Sequence, residues 1–278
     1  LSNIKTDNDA YFKLMADIVI EKDAKVAIGG DKCVVTHFNG TLDGNGYSIT
    51  NNYEVSGSCV WFALFDIAGN VTVKNLTLNY GRTWFNMISN LSGNLTLENI
   101  VLKSDSEVLD LTGSGNNYGL IVSKCLEGMS NKNVVLKNVN SYVNIEGATA
   151  AIGIWFGTAN PNNNYLYENT NNYGNVNAGY ISFFFGNVGN GIFSTPMNKM
   201  VTESKSINIK LVDSYNYGAV YGTNECVMLS YGTGKDYLAT EEAKLIKSIN
   251  KDAGAVLKLT SSGKIVVTKD DNSVLSIT

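Results

Sequence analysis

The sequence repeats itself, and the repeat limits what this chain can fold into more than any other feature. Gly69-Asn70-Val71-Thr72-Val73-Lys74-Asn75-Leu76-Thr77-Leu78 returns 24 residues later as Gly93-Asn94-Leu95-Thr96-Leu97-Glu98-Asn99-Ile100-Val101-Leu102. Tyr47-Ser48-Ile49-Thr50-Asn51 fits the same frame one step earlier, because Asn51 precedes Asn75 by 24. Later copies stretch: Val134 to Asn138, Tyr165 to Asn169 and Ile209 to Asp213 place the marker residue 39, 31 and 44 positions after its predecessor. A coil can grow a loop at a turn without disturbing its strands, so stacked coils tolerate such lengthening.

Inside each unit the apolar residues alternate. Val71 and Val73 share one phase and Leu76 and Leu78 the other, the period of a strand with one buried face and a bend at Asn75. A second apolar stretch precedes each marker, as in Trp61 to Phe65, Trp84 to Ile88, Tyr118 to Val122, Ala151 to Phe156 and Tyr180 to Phe185. Two or three short strands per unit, joined by bends, make a coil, whereas hairpins would call for Asn-Gly turns at closer spacing. The pattern predicts an all-β chain, a right-handed parallel β-helix of stacked coils. The marker column Asn51, Asn75, Asn99, Asn138, Asn169 and Asp213 is then a structural ladder. A side-chain amide both donates and accepts, so stacked Asn residues can bond one another at the strand spacing of about 4.8 Å. Asp213, the departure from Asn, marks where the ladder ends or meets a new partner.

Only 2 Pro stand against 27 Gly, as suits many strands and many turns. With 278 residues, 44% of them hydrophobic, the chain can bury one large core or two modest ones. The net charge of −4 and a single arginine, Arg82, argue against a nucleic-acid partner, which needs clustered Lys and Arg. No apolar run is long enough for a membrane-spanning helix, so membrane insertion is not expected. A chain that starts at Leu1 and ends at Thr278 on a strand-like segment reads as an excerpt of a longer one.

A stack of coils exposes strand edges at both ends. Asp9 to Ile20 is the candidate N-terminal cap. Thr240 before Glu241 and Glu242, with Leu245, Ile246 and Ile249 ahead of Gly254, predicts a capped helix. Ala255 to Leu259, Lys264 to Thr268 and Ser273 to Ile277 read as short strands. The expected division is a β-helix with its N-terminal cap over residues 1–236, and a C-terminal cap or the start of a following module over 237–278.

Phe38-Asn39-Gly40-Thr41-Leu42-Asp43-Gly44-Asn45-Gly46-Tyr47-Ser48-Ile49 resembles the opening coil of bacterial surface proteins in the pectate-lyase-like superfamily. Tyr118-Gly119-Leu120-Ile121-Val122, followed by Asn138-Val139-Asn140-Ser141-Tyr142 and Gly147, is similar to their GLUG-type repeat, and Tyr173-Gly174-Asn175-Val176 and Tyr217-Gly218-Ala219-Val220 recur in that register. Ser123 to Lys132 departs from it, lacking the glycine-rich middle of such a unit. The resemblance covers roughly residues 9–235 and implies a secreted or cell-surface bacterial protein with the β-helix fold. It is nearly silent on activity, since members include lyases, hydrolases, adhesins and spacers.

Catalytic sets are hard to find. A β-helix lyase needs a strong base, and Arg82 sits in a turn without partners, while the one histidine, His37, reads as a strand-end polar residue. No paired-carboxylate element of a glycosidase is present. Gly232-Thr233-Gly234-Lys235 lacks the flanking residues of a phosphate loop. Asp105, Glu107 and Asp110 are the densest acidic group and could bind Ca²⁺ with carbonyl help, against the plainer reading of a solvated loop; no other cofactor is expected. Asp43-Gly44-Asn45-Gly46 reads as a tight turn. Cys33, Cys59, Cys125 and Cys226 show no metal-site spacing and read as buried thiols, although Cys33 and Cys59, 26 apart, could be neighbours in a disulfide.

Trp61, Trp84 and Tyr118 begin equivalent strands, so an outward-facing aromatic strip could stack on sugar rings. The leading expectation is a non-enzymatic module serving adhesion, binding of a polysaccharide or host glycan, or rigid spacing. The alternative is a lyase or hydrolase whose acidic residues converge from distant coils.

Overall fold

The computed structural model describes residues 10–22, 24, 27–29, 31–53, 62–81, 85–105, 108–111, 118–125, 130–160, 162–182, 185–188, 195–196, 208–214, 216–218, 220–227, 256–259, 265–268 and 274–277. These residues are all-β, with no helix among them and therefore none that could cross a membrane. Most strands pair in parallel, eighteen in one curled sheet and four in a second.

The bend at the marker residue has a backbone cause. Asn75, Asn99, Asn138, Asn169 and Asp213 all have positive φ, at 52°, 55°, 53°, 47° and 42°. After glycine, Asn and Asp are the residues that occupy this left-handed region at least cost. One left-handed residue swivels the strand so that two successive side chains face outward before the inward phase resumes. In Leu95–Lys103 the result is Leu95 and Leu97 buried, Glu98 and Asn99 both exposed, then Ile100 and Leu102 buried. Asn133–Ser141 repeats it with Val134 and Leu136, then Val139 and Ser141.

Successive passes of the chain lie side by side in register. Leu42 pairs with Val73, Val73 with Leu97, Leu97 with Leu136 and Leu136 with Tyr167, so one inward column runs through five passes. A second parallel column carries Phe65, Ile88, Val122 and Phe156. A third, the separate sheet, aligns Leu109, Ile145, Val176 and Val220. Each of the passes beginning at Asn86–Leu91, Val122–Cys125, Phe156–Ala159 and Phe185–Val188 thus contributes one strand to each column. Stacked rings join the passes inside: Phe38 and Phe65 have centroids 4.4 Å apart, and Phe62 and Phe85 5.4 Å.

Two expectations need adjustment. Ala10–Lys13 pairs in parallel with Gly40 to Asp43, and Ile18–Ile20 with Ile49 to Asn51, so the segment expected to be a cap is an integral first rung. Its alternation of half-buried Phe12 and Ile18 with buried Leu14 and Ile20 matches the rungs it joins. Asn51 does not stand in the marker column. Ser48 is level with Thr77 and Thr50 with Asn79, so the 24-residue spacing to Asn75 is a coincidence of numbering in a longer first pass. There the bend is made by Asn45 and Gly46, at φ 53° and 85°.

The strands Val256–Leu259, Ile265–Thr268 and Val274–Ile277 form an antiparallel meander whose first strand pairs with Asn208–Val212. The expected helix from Thr240 to Gly254, and the expected division at residues 236 and 237, lie outside the described residues.

Candidate functional site

Outward-facing residues form rows across the parallel strands. In the marker row Asn75 Nδ2 donates to Asp43 (3.1 Å), Asn99 to Asn75 (3.0 Å), Asn138 to Asn99 (3.1 Å) and Asn169 to Asn138 (2.7 Å). Every donor points the same way, and a carboxylate, the strongest acceptor available, receives the first. Asp43 also accepts the Tyr11 hydroxyl and the Asn45 N–H, and Lys74 lies 3.8 Å away. The Tyr11 hydrogen bond first, then the Asn45 and Asn75 donors and the Lys74 charge, outweigh desolvation and hold its carboxyl at about 2. At the far end the Asp213 carboxylate side chain carries no N–H, and Asn169 Oδ1 accepts from Asn171 instead (3.0 Å).

A second amide row, whose sequence signal is the repeated Gly69-Asn70 and Gly93-Asn94, runs parallel to the first. Asn70 N donates to Asn39 Oδ1 (3.1 Å), Asn94 N to Asn70 (2.9 Å), Asn133 N to Asn94 (2.8 Å) and Asn164 Nδ2 to Asn133 (3.3 Å). Between the rows runs a column of alternating charge: Asp43, Lys74, Glu98, Lys137 and Glu168 face one another in register. Lys137 and Glu168 close to 3.1 Å, although both are nearly half exposed, so this pair adds little stability.

Of the expected aromatic strip, Trp61 and Trp84 lie outside the described residues. Tyr118 is fully buried, with its hydroxyl donating to the Phe85 carbonyl (2.6 Å). Strand alternation does not carry through it, because Tyr118 to Ile121 precede the regular strand and all four are buried.

Among the described residues the exposed aromatics are Tyr11, whose hydroxyl donates to Asp43, and three tyrosines farther along. Tyr142, Tyr173 and Tyr217, at 51%, 41% and 49% exposure, form a ladder at the corner that leads into the third column. Their ring centroids are 4.9 Å apart at both steps, with planes 8° from parallel. Each tyrosine follows a buried polar residue that turns the chain. Asn172 Nδ2 donates to the Gly174 carbonyl and Asn216 Nδ2 to that of Gly218, both at 2.8 Å, while Ser141 Oγ accepts from Val143 N (3.3 Å). The same turns dock on one another: Tyr173 N donates to Ser141 O and Tyr217 N to Asn172 O, each at 2.7 Å. A Cβ on Gly174 would collide with the Val143 carbonyl, and one on Gly218 with that of Gly174. Glycine therefore sets the close approach that brings the rings into register. Burial, then the flanking phenols of Tyr142 and Tyr217, raise the Tyr173 phenol above its usual value.

Neutral amides accompany the ladder. Asn171 donates to Asn140 (3.3 Å) on one side, and Asn175 N to Asn144 Oδ1 (2.8 Å) on the other. Farther along the third column, exposed Asp110, Glu146 and Asn177 are in register. Of the acidic trio, Asp105 is exposed in the turn after Leu95–Lys103, where its N–H donates to Asn79 (3.0 Å), Asp110 lies in Leu109–Asp110, and Glu107 is outside the described residues. Among the described residues no three metal-ligating side chains gather. His37 is exposed on Asp31–Asp43, and Arg82 is outside the described residues. Cys125 is a buried free thiol, pushed up to about 12 by burial. The side chains of Cys33 and Cys226, and all of Cys59, lie outside the described residues.

Comparison with family models, with curated proteins and with solved structures returns no match.

Proposed function

We propose that the three parallel columns close into a right-handed parallel β-helix, and that this chain is a non-enzymatic binding module of a secreted or cell-surface bacterial protein. Its ligand is a glycan, its docking surface the ladder of Tyr142, Tyr173 and Tyr217, and the rigid stack presents that surface in adhesion. One observation carries the reading: Tyr142, Tyr173 and Tyr217 are large aromatic side chains left in solvent in one line, apart from the exposed Tyr11, Met15 and Val19 of the first rung. Solvent-facing aromatic rows beside amide donors and acceptors suit sugars, which present apolar C–H surfaces and hydroxyls together.

The right-handed sense follows from the crossover rule for parallel strands joined within one sheet. The GLUG-like residues include all three tyrosines, so the resemblance and the candidate surface fall on the same turns. A glycan array probed with the wild-type chain and with the Tyr142→Ala/Tyr173→Ala/Tyr217→Ala variant tests the assignment. Signals from wild type that vanish in the variant support it; equal signals from both, or none from either, refute it. Turnover of any polysaccharide by the wild-type chain would instead establish the lyase or hydrolase alternative.

A further inference from the structure

We infer that the ladder takes an extended, uncharged, β-1,4-linked polysaccharide that lies along the stack with about one sugar per rung. This rests on the reading of the ladder as a glycan site and adds the class of chain, its direction and its register.

The ring geometry comes first. Tyr173 has a parallel ring on each face, at 4.9 Å on both sides. Its faces are therefore taken, and a sugar cannot lie flat on it as on an isolated aromatic. The ladder instead presents ring rims and phenol hydroxyls, each hydroxyl able to donate and accept. Such a row binds a ligand that offers hydroxyls at the same interval. The interval is the spacing of parallel strands, about 4.8 Å, and a β-1,4-linked pyranose chain advances by nearly that distance per sugar. An α-1,4-linked glucan coils and loses the register after a sugar or two, whereas an extended α-1,4-linked galacturonan is disfavoured by its charge.

The flanks select the same class. Asn140 and Asn171 on one side, and Asn144 and Asn175 on the other, repeat at the same rungs and carry no charge. Asp110 and Glu146 are exposed and adjacent in register on the column into which the ladder leads. Two carboxylates one rung apart repel a polyuronate. Among the described residues Lys103, exposed on the rung before Tyr142, is the cation at that end of the ladder, and one cation makes no polyanion track.

The test is calorimetric titration of the whole chain with cello- and chito-oligosaccharides of two to six sugars, with malto-oligosaccharides and oligogalacturonates as comparators. Affinity for at least one β-1,4 series should rise up to three or four sugars and then level off. Tyr173→Phe, which keeps the ring and removes the hydroxyl, should weaken binding about five-fold, the scale of one hydrogen bond. Tyr173→Ala should abolish binding, His37→Ala should leave it unchanged, and thermal melts of all three should show the fold intact. Ladder-dependent binding of malto-oligosaccharides or oligogalacturonates in place of both β-1,4 series would overturn this inference and leave the ladder a glycan site. So would a disaccharide that binds as tightly as a hexasaccharide, or a Tyr173→Phe variant equal to wild type. Binding of no glycan, or β-1,4 binding indifferent to Tyr173→Ala, would overturn both readings.

Discussion

Replacing Asn99 isolates the two reasons for an Asn at the bend. Its side chain donates to Asn75 at 3.0 Å and accepts from Asn138 at 3.1 Å, and its backbone has φ 55°. Each ladder bond is solvent-exposed, so losing both costs about 1–2 kcal/mol. An alanine forced into the left-handed region costs about 1 kcal/mol more. Asn99→Ala should therefore destabilise the chain by about 2–3 kcal/mol. Asn99→Gly loses the same bonds but tolerates the dihedral; with about 0.5 kcal/mol of glycine's extra chain entropy set against the strain relieved, it should recover about 0.5 kcal/mol relative to alanine. Urea denaturation followed by circular dichroism, on wild type and both variants, measures the two differences. The double variant with Asn138→Ala should cost less than the sum of its parts, since the two residues share one bond. Should Asn99→Ala fall within about 0.5 kcal/mol of wild type, the ladder would be an ornament of the surface. Should glycine do no better than alanine, the dihedral would not be the reason for the residue.

Three further outcomes are expected. The Asp43 carboxyl is held below its unfolded value, so its contribution is present above about pH 4 and lost as pH falls toward about 2; Asp43→Asn should flatten that part of the stability curve, and an unchanged acid limb would refute it. Gly174→Ala drives a Cβ into the Val143 carbonyl and should destabilise by about 1–3 kcal/mol while splaying the tyrosine rings, whereas a wild-type melting curve would show that the turn has room to spare. Asn70-Val71-Thr72, Asn75-Leu76-Thr77 and Asn94-Leu95-Thr96 are all acceptors for N-glycosylation, and a glycan there would occupy ladder amides, so passage through a glycosylating secretory pathway should lower yield and melting temperature, with Thr77→Val restoring part of the loss; a protein glycosylated at Asn75 that melts like the unmodified one would disprove this.

The all-β character and the parallel repetition were legible because every pass reuses one strand–bend–strand phrase, and the phase jump across Asn75 announces the bend. The positive φ beneath that jump has its own signature in the sequence, an Asn recurring at one bend. A constant residue count misplaces Asn51, because the passes differ in length and hydrogen-bond register, not spacing along the sequence, decides which residues stand level. The aromatic surface was sought by strand parity at Tyr118, which fails where a segment is buried on both sides. Tyr142, Tyr173 and Tyr217 were visible as repeat markers, but their exposure depends on turns made by buried Ser141, Asn172 and Asn216. Polar residues inside a strand-end turn do not stand out from those facing water in a list of letters.

The charge column has a bearing on how such a chain can change length. Deleting one pass between Asp43 and Glu168, or duplicating one, would set two like charges face to face in a row that otherwise alternates. Removing or adding two passes would preserve the alternation. The unit of growth written into this surface is a pair of rungs, although the interior would accept them one at a time.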